Sequence, residues 1–396
     1  MSEKKKVLVA MSGGVDSSAA AALLVQQGYQ CDGAMLKLAP NEDSRCCSAD
    51  DAEDARQAAA RLGMRFYVFN ETARFRRCVM DKFVAEYGAG RTPNPCIDCN
   101  RELKFGALLD RALTLGYDYI ATGHYARVDL DETTGKYRLL RGAERRKDQS
   151  YVLYQLTQRQ LSRALFPIGH LLKPEVRRIA AEQHLATAAR KDSQGICFVG
   201  KVDLPTFLQQ KLARKRGNVH EILPAWPKFR REAAPADGSE PSDDQLAAQA
   251  EPWHYTVRDG KKIGEHNGAH FYTVGQRKGL GIGGRKESLF IIGTDVAQNV
   301  IYVGEGDAHP GLWRPALHIV PEEVHWVNPS RKMAPGTSAR FSVRIRYRQP
   351  LQGATLHMRP NGMYILFDEP QRGIAPGQFA AWYDGDELVG SGVIEK

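Results

Sequence analysis

Apolar and polar positions follow two alternating patterns in the first half of the chain. Short apolar runs typical of buried strands lie between longer stretches in which apolar residues recur at helical spacing. The strand-like runs are 7–11, 31–38, 65–69 and 119–122, and the helix-like stretches are 19–27, 49–62 and 102–115. Gly28, Gly63 and Gly116 follow the helix-like stretches, where glycine commonly ends a helix. The alternation predicts an α/β fold with a doubly wound parallel sheet, which binds ligands at the carboxyl ends of its strands.

The second half of the chain has a different pattern. After about residue 202 the alternation ends, and the sequence becomes basic and rich in loop-forming residues. Within this part, residues 232–252 consist mainly of Ala, Pro, Glu, Asp, Ser and Gly, which predicts a disordered or mobile insertion near 223–258. Short β-rich runs separated by Gly, Pro and Asn turns follow, and they predict a small barrel or sandwich. The predicted domains are 1–201, 202–286 and 287–396.

The turn after the first apolar run carries candidate chemistry. Residues 12–18 read SGGVDSS and lead into a helix-like stretch. A glycine pair permits close backbone approach, and a helix that follows a strand and a tight turn directs free N–H groups and its positive dipole end at an anion. The serine hydroxyls add donors, and Asp16 is a candidate magnesium ligand. The sequence therefore predicts a nucleotide phosphate site at this turn.

This turn lacks the Gly-Lys-Ser/Thr ending of the Walker P-loop. It resembles instead the PP-loop of ATP pyrophosphatases, which cleave ATP between the α and β phosphates and adenylate an oxygen of their substrate. A later glycine-rich stretch, GLGIGG at 279–284, follows a polar run and no strand. We interpret that stretch as a flexible basic loop, because a dinucleotide site would need a preceding strand.

Composition narrows the class of protein. The chain of 396 residues has 55 Lys and Arg against 46 Asp and Glu, and the net charge of +9 favours an anionic partner larger than a nucleotide. Charge alone is equally consistent with an ordinary basic surface, but the basic clusters are spread widely enough to contact an extended polyanion. No apolar run approaches the roughly 18 residues of a membrane span. The charged start, MSEKKK, lacks a signal-peptide core, so a cytoplasmic protein with no membrane partner is predicted.

The cysteines indicate chemistry rather than a disulfide scaffold, since their number, seven, is odd. Cys96 and Cys99 lie in TPNPCIDCN at the apparent start of a helix, where the helix dipole lowers the pKa of a thiol. Cys197 lies far away in the sequence, in KDSQGICFVG. Two reactive thiols brought together would favour sulfur transfer through a persulfide and a disulfide.

A metal site is the alternative for these cysteines. Structural zinc needs four ligands, and the chain has no second C-x-x-C; the adjacent Cys46 and Cys47 suit one tetrahedral metal poorly. An iron–sulfur cluster held by Cys96, Cys99 and Cys197, with one iron open, is harder to exclude and stays an alternative.

Seven motifs occur in one order along the chain. They are SGGVDSS, TPNPCIDCN (92–100), ATGHYAR (121–127), KDQSYVLY (147–154), DSQGICFVG (192–200), YTVGQRKGLGIGG (272–284) and APGQFAAWY (375–383). With these motifs the chain resembles the bacterial tRNA-specific 2-thiouridylase family, MnmA or TrmU, over nearly everything except about 223–258. The resemblance implies a PP-loop ATP-binding catalytic domain at 1–201, a central tRNA-binding domain at 202–286 and a C-terminal β-barrel at 287–396.

The resemblance also implies an activity, in which sulfur replaces the C2 oxygen of the wobble uridine in the tRNA anticodon loop. The C2 carbonyl has a poor leaving oxygen, so ATP would adenylate it first and AMP would depart when a persulfide attacks. ATP and Mg²⁺ would be the cofactors, with Mg²⁺ offsetting charge on the pyrophosphate. A persulfide sulfur donor protein, such as a cysteine desulfurase or a relay protein, would be a partner beside tRNA.

Residue roles are implied by matching the motifs position by position. ATP would be bound by Ala10, Met11, Ser12, Gly13, Gly14, Val15, Asp16, Ser17, Met35 and Gly123. Cys197 would receive the persulfide, and Cys99 would form a disulfide with it as sulfur is released. The target base would be bordered by Asn94, Pro95 and Cys96, and tRNA would be contacted by His124, Lys147, Asp148, Gln149, Arg346, Tyr347 and Gln378.

The chain departs from the family pattern in two places. Some members carry Asp where this chain has Cys96, and the neighbouring Asp98 does not obviously replace it, so the proton-transfer role is unassigned. The insertion at 232–252 has no counterpart, and an acidic segment is a poor tRNA binder. Two rival classes also fit parts of the sequence: a PP-loop enzyme that uses no sulfur-bearing cysteine, and a non-catalytic RNA-binding protein that uses the β-rich end.

Overall fold

The computed structural model describes residues 4–38, 48–191, 204–231 and 239–396. The described α-helices are α1 (Val15–Gln26), α2 (Ala49–Arg61), α3 (Thr72–Phe75), α4 (Asp81–Gly88), α5 (Pro95–Asp98), α6 (Leu109–Thr114), α7 (Gln158–Leu161), α8 (Lys173–Glu182), α9 (Leu204–Gln209) and α10 (Asp243–Ala250). Two π-helices, Arg76–Met80 and Cys99–Leu108, connect α3 to α4 and α5 to α6. Short 3₁₀ helices are Arg145–Lys147, Ser150–Val152, Ala186–Ala189, Ala269–Phe271, Pro310–Leu312, Pro321–Glu323 and Pro329–Arg331. None of the described helices has the length and apolar character needed to cross a bilayer.

The described strands are β1 (Lys6–Ala10), β2 (Gln30–Lys37), β3 (Phe66–Asn70), β4 (Tyr119–Thr122), β5 (Ala126–Asp131), β6 (Lys136–Arg141), β7 (Ala164–Leu165), β8 (Gly217–Glu221), β9 (Lys261–His266), β10 (Leu289–Asp295), β11 (Val300–Glu305), β12 (Trp313–Ile319), β13 (Val324–Trp326), β14 (Ser338–Arg344), β15 (Gln352–Arg359), β16 (Gly362–Arg372), β17 (Phe379–Asp384) and β18 (Glu387–Val393). Over the described ranges they form three sheets of five, four and nine strands.

The first sheet is parallel and has the order β3-β2-β1-β4-β7. Its central strand is buried on both faces, because Val7 and Val9 pack with α1 and α2 while Leu8 packs into the cluster on the opposite face. Apolar residues on both faces of a strand are what a doubly wound sheet requires. The predicted α/β fold is therefore confirmed, and the predicted strands and their helices end within a few residues of the observed bounds.

The helix predicted at 102–115 begins earlier than the sequence pattern indicated. The chain is helical from Pro95 through the π-helix Cys99–Leu108 to Thr114. The Asn94 side chain accepts a hydrogen bond from the Cys96 N–H at 3.2 Å and caps the helix. Pro95 occupies the first helical position, where the N–H that proline lacks would have no partner within the helix. The two cysteines therefore lie in the first turns of one helical segment.

The second sheet has the order β10-β11-β8-β9, with a parallel pair between β8 and β11. The glycine-rich stretch 279–284 lies between β9 and β10 and contains neither helix nor strand, which agrees with its interpretation as a loop. The third sheet is antiparallel, and its path runs β12-β16-β15-β14-β17-β18-β6-β5, with β13 paired to β18. The hairpin β5–β6 thus leaves the first half of the chain and extends the sheet of the second half.

The predicted mobile insertion near 223–258 is corrected by the structure over its described part. Residues 243–250 form α10, which packs Leu246 and Ala250 against Ala316 and Tyr364 of the third sheet. The Arg359 guanidinium holds Asp243 at 2.7 Å, and the Arg314 guanidinium donates to the Ala250 carbonyl at 2.7 Å. Low hydrophobicity misled the prediction, because few apolar side chains and two buried arginines suffice to dock a short helix.

Arg314 also bridges the end of α10 to the Ile374 carbonyl, and burial lowers its pKa to about 9. We predict that Arg314→Met lowers the free energy of unfolding by about 2 kcal/mol, because a buried carbonyl loses its charged donor. Urea unfolding followed by tryptophan fluorescence measures the change. The control is Arg340→Met, whose ion pair with Asp368 is exposed and should contribute less than about 1 kcal/mol. Equal effects of the two changes would contradict a clamping role for Arg314.

Candidate functional site

The turn between β1 and α1 has the geometry of an anion site. Gly13 has a φ of 74°, and a Cβ there would collide with the Asp51 backbone at the start of α2. Gly14 occupies the N-cap position of α1 and has no side chain to cap it, so the first N–H groups of the helix stay available to a ligand. The Ser17 hydroxyl donates to the Gly14 carbonyl at 3.1 Å and accepts from the Ser12 N–H at 3.2 Å, which fixes the turn.

Gly123 brings the end of β4 against the same helix terminus. A Cβ on Gly123 would lie 2.6 Å from the Ser17 nitrogen, so any larger residue would push β4 away from α1. On the other side, the Met11 N–H donates to the Ala34 carbonyl at 2.8 Å, and the neighbouring Met35 is buried. The predicted ATP residues at 10–17, Met35 and Gly123 therefore surround one edge of the parallel sheet, at the carboxyl ends of its strands.

Asp16, the predicted magnesium ligand, already has two donors. Lys173 Nζ lies 2.6 Å from Oδ1, and the Tyr125 hydroxyl donates to the same oxygen at 2.9 Å. Among the described contacts Oδ2 receives no donor, so the carboxylate retains an oxygen of the kind Mg²⁺ prefers. The residues present therefore fit a magnesium ion at Asp16, although the described residues contain no group of three metal-ligating side chains.

Cys96 and Cys99 are positioned by the capped helix described above. Cys96 is half-buried, and Cys99 is buried in the cluster on the face of the sheet that contains Leu8 and Leu36. Between them, buried Asp98 forms ion pairs with Lys82 at 2.8 Å and with Arg101 at 3.3 Å. The Asp98 carboxylate is thus committed to two cations.

The same helical segment extends to the nucleotide edge of the sheet. Phe105, six residues after Cys99 in the same helical segment, packs near the His124 ring, with ring centroids 6.2 Å apart. His124 follows Gly123 directly, and its Nδ1 lies 2.7 Å from the Thr122 hydroxyl. Burial, with the nearby charge of Lys104, lowers the pKa of His124 well below its usual value. A continuous series of contacts therefore connects the cysteine helix to the first turn of α1.

Cys197, predicted to carry the persulfide, lies outside the described residues, as do Cys46 and Cys47. The described chain before that segment ends next to the PP-loop turn. Arg190 forms ion pairs with Asp51, at 2.7 Å, and with Asp54. Asp51 is also the residue whose backbone contacts Gly13. The described chain up to Lys191 therefore ends near the edge of the predicted ATP site.

Three motifs meet at the segment that precedes the cysteine helix. The Thr92 N–H donates to the Pro376 carbonyl at 2.8 Å, and the Gln378 amide donates to the Thr92 carbonyl at 2.9 Å. The Thr92 hydroxyl lies 3.0 Å from the Thr273 hydroxyl. A Cβ on Gly377 would lie 2.8 Å from the Thr92 nitrogen, so this position of the turn requires glycine. The predicted target-base residues are thus held by both the central and the C-terminal parts of the chain.

The residues predicted to contact tRNA differ in exposure. The His124 and Asp148 side chains are buried and have structural partners, since Asp148 pairs with buried Arg344 at 2.6 Å. Gln149 accepts the Tyr125 N–H at 2.9 Å. The remaining four residues are half-buried or exposed: Lys147, Arg346, Gln378 and Tyr347, the last with 37% of its surface accessible. Contact of these seven residues with tRNA stays a prediction.

Sequence reasoning missed Lys173, Tyr125 and Thr92. Tyr125 lies within ATGHYAR, so its motif pointed to the right region. Lys173 stands before a proline at the start of α8, a pattern typical of a helix terminus that gives no sign of a partner 157 positions away. Only tertiary packing of α8 on α1 could reveal it.

Comparison with known proteins adds sequence evidence over the whole chain. The profile described as tRNA methyl transferase HUP domain matches residues 5–201, the tRNA methyl transferase PRC-barrel domain matches 247–305, and the aminomethyltransferase β-barrel domain matches 317–394. The predicted succession of an α/β domain, a central domain and a C-terminal barrel is thereby confirmed.

Relatives match this chain over nearly its whole length and theirs. The tRNA-specific 2-thiouridylase MnmA of Christiangramia forsetii is 49% identical over 98% of this chain and 100% of its own length. The proteins of the same description from Flavobacterium johnsoniae and Shouchella clausii are 49% and 43% identical, over 98% and 100% of this chain and 100% and 97% of their own lengths. With this identity across all three domains and a PP-loop edge joined to a cysteine helix, the chain belongs to the MnmA family of tRNA-specific 2-thiouridylases.

Proposed function

We propose that this protein replaces the C2 oxygen of a tRNA wobble uridine by sulfur, using ATP. The observation that carries the proposal is the contact of the cysteine helix with the nucleotide edge of the parallel sheet. The helix that carries Cys96 and Cys99 connects through Phe105 and His124 to the PP-loop turn. A thiol helix beside an ATP phosphate site is what adenylation followed by sulfur transfer requires.

ATP binds at the PP-loop in this family, and the geometry described above supports the residues proposed for it. The uncapped N–H groups at the start of α1 and the positive end of its dipole would receive the phosphates. Gly13 and Gly123 would let the phosphates approach the backbone closely. Asp16 would hold Mg²⁺ through Oδ2, and the ion would supply charge neutralisation on the leaving pyrophosphate.

The proposed chemistry has two stages. In the first, the uridine O2 forms a bond to the α phosphorus of ATP, and pyrophosphate leaves with the electrons of the broken P–O bond. In the second, the terminal sulfur of a Cys197 persulfide forms a bond to C2. The Cys99 thiolate then attacks Cys197 Sγ and breaks the S–S bond, the electron pair passes to the sulfur on C2, and AMP leaves with the original oxygen.

The products are 2-thiouridine, AMP, pyrophosphate and a Cys99–Cys197 disulfide. An external thiol reductant must supply two electrons to reduce that disulfide, and a sulfur donor protein must renew the persulfide. The wobble base lies in a loop, so it can be turned out of its stack at modest cost and inserted beside Asn94, Pro95 and Cys96.

An iron–sulfur cluster on Cys96, Cys99 and Cys197 is the alternative. The thiol pair predicts that anaerobically purified protein holds much less than one iron and one labile sulfide per chain. Iron and sulfide analysis of that preparation measures both. A content near four irons per chain, lost together with activity on chelation, would replace the disulfide mechanism by a cluster mechanism.

The roles proposed for Cys99 and Cys197 predict the effect of replacing either thiol on tRNA thiolation. Cys99→Ser and Cys197→Ser should each abolish formation of 2-thiouridine, because a hydroxyl neither carries a persulfide nor forms the disulfide. ATP-dependent pyrophosphate exchange in the presence of tRNA should survive in both variants, since adenylation precedes the thiol steps. Mass spectrometry of digested tRNA and exchange of labelled pyrophosphate measure the two stages.

The matched control for these variants is Cys78→Ser, a half-buried thiol that is proposed for neither step. It should thiolate tRNA normally. Normal thiolation by Cys99→Ser or by Cys197→Ser would remove the proposed mechanism, and loss of pyrophosphate exchange in all variants would point to a folding defect instead.

Gln378 and Tyr347 are both predicted to contact tRNA, but they differ in their surroundings. Gln378 is bonded to the Thr92 carbonyl, whereas Tyr347 is exposed. Gln378→Leu should lower kcat about 10-fold with little change in the Kd for tRNA, because the lost hydrogen bond to the Thr92 carbonyl loosens the target-base segment. Tyr347→Ala should instead raise the Kd for tRNA about 10-fold, because an exposed aromatic ring that stacks on a base contributes about 1–3 kcal/mol. Filter binding and single-turnover thiolation measure both. A Kd effect of Gln378→Leu equal to that of Tyr347→Ala would show that Gln378 acts on tRNA directly.

A further inference from the structure

Two arginines meet where the loop at 272–284 contacts the third sheet. Arg346 follows β14 by two residues, and its guanidinium donates to the Gly373 carbonyl just beyond β16. A Cβ on Gly275 would lie 3.3 Å from Arg346 Nη2, so the loop packs closely against the same guanidinium. Burial lowers the pKa of Arg346, and the neighbouring positive charge of Arg372 lowers it further. Positive charge therefore accumulates at this junction.

Arg372, the last residue of β16, has donors that no described residue uses. Its Nε and Nη2 atoms are buried without a hydrogen-bond partner, and its guanidinium carbon lies 4.3 Å from the centroid of the Phe290 ring. These two nitrogens form one edge of the guanidinium, which matches two oxygens of a phosphate. Burying a charged donor without an acceptor costs free energy, so this edge favours an anionic ligand. The side chain is half-buried, so rotation of the guanidinium can bring the edge to the surface.

An exposed tryptophan lies beside Arg372. Trp313 begins β12 and stands opposite Arg372 in the antiparallel pair, so the two side chains project from the same face of the sheet. The pairing continues past the strands, since the Gly373 N–H donates to the Leu312 carbonyl at 2.7 Å. Trp313 has 38% of its surface accessible, and its indole N–H donates to the Asp307 carbonyl at 2.9 Å, which orients the ring. An aromatic ring next to a guanidinium is typical of surfaces that bind single-stranded RNA.

This surface is close along the chain to the segment that borders the predicted target base. Pro376 follows Arg372 by four residues, so their Cα atoms are at most about 14 Å apart. The Pro376 carbonyl accepts the Thr92 N–H at 2.8 Å, and Asn94 lies two residues after Thr92. An RNA strand whose wobble base lies beside Asn94 can therefore reach Arg372 with a neighbouring nucleotide.

We infer that Arg372 and Trp313 bind a nucleotide next to the target uridine, with its phosphate on the Arg372 guanidinium and its base stacked on the Trp313 ring. The ligand class is a single-stranded RNA segment, which is the anticodon loop in this enzyme. Neither residue lies in the seven motifs or among the tRNA contacts that the family resemblance implies. The inference rests on the proposed function in taking tRNA as the substrate.

The salt dependence of tRNA binding tests the phosphate contact. Arg372→Met should raise the Kd for tRNA about 10-fold at low salt and reduce the slope of log K against log salt concentration by about 0.7–0.9, the contribution of one phosphate. Arg372→Lys keeps the charge and should keep most of the slope. The matched control is Arg340→Met, since Arg340 lies in the same sheet and pairs with Asp368. It should leave the Kd and the slope unchanged in filter binding over a salt series.

Replacement of the tryptophan tests the stacking contact separately. Trp313→Leu should raise the Kd for tRNA about 10-fold but leave the salt slope unchanged, because stacking releases no counterion. Trp313→Phe keeps an aromatic ring and should retain most of the affinity. Both Trp313→Leu and Arg372→Met should weaken an isolated anticodon stem–loop as much as whole tRNA. Effects that disappear with the stem–loop would place the contact elsewhere on the tRNA and overturn the inference.

ATP affinity without tRNA separates RNA phosphate from nucleotide phosphate. The Kd for ATP should stay within about twofold in Arg372→Met, which also shows that the variant folds. A folded Arg372→Met that binds ATP weakly would assign its guanidinium to the nucleotide and overturn the inference. If Arg372→Met does not fold, Arg372→Lys and the contrast between Trp313→Leu and Trp313→Phe still decide the question.

An unchanged Kd and salt slope for tRNA in Arg372→Met, together with an unchanged Kd in Trp313→Leu, would overturn the inference and leave the proposed function intact. A natural protein that does not bind tRNA would count against the proposed function itself.

Discussion

The close approach of Gly123 to the first turn of α1 is the contact on which the rest of the site depends. A Cβ at this position would lie 2.6 Å from the Ser17 nitrogen, so only glycine lets β4 end beside the PP-loop. Because His124 follows immediately, the same approach brings the residues that pack on the cysteine helix to the nucleotide edge. The absence of a side chain at Gly123 thereby allows the contacts that connect the PP-loop turn to the cysteine helix.

The three parts of the chain are held together by shared backbone and buried charge. The β5–β6 hairpin pairs with β18, so a piece of the first half is a component of the third sheet. Next to it, Arg344 reaches from β14 to the Asp148 carboxylate, and both groups are buried. Removing one member of such a pair would leave an uncompensated charge, which costs several kcal/mol. The first half of the chain is thereby joined to the third sheet, and the turn that precedes β17 in that sheet contacts the Thr92 segment through Pro376 and Gln378.

The sequence predicted those features that local physics decides. The parallel strands, the glycine turn at Gly13 and the helix stops follow from periodicity and backbone sterics, so their bounds were nearly correct. The apolar period placed the start of this helix at residue 102 instead of Pro95, because a proline and an asparagine cap replace the apolar period there, although the two cysteines were expected near the helix start. The docking of α10 was also missed, because Arg314 and Arg359 are contributed by strands 64 and 116 positions away along the chain. Lys173 was missed for the same reason, since an ion pair between two helix ends has no local pattern.

The ion pairs of Asp98 argue against this residue as the acceptor of the proton that the uridine loses. Asp98 is two positions from Cys96, where some family members carry Asp, but it is bonded to both Lys82 and Arg101. To accept a proton from the base, this carboxylate would have to give up one or both of its ion pairs. It is also held in place, because moving it would break both ion pairs. We therefore expect Asp98 to stabilise the helix that carries Cys96 and Cys99, and we expect another group to accept the proton that the uridine loses.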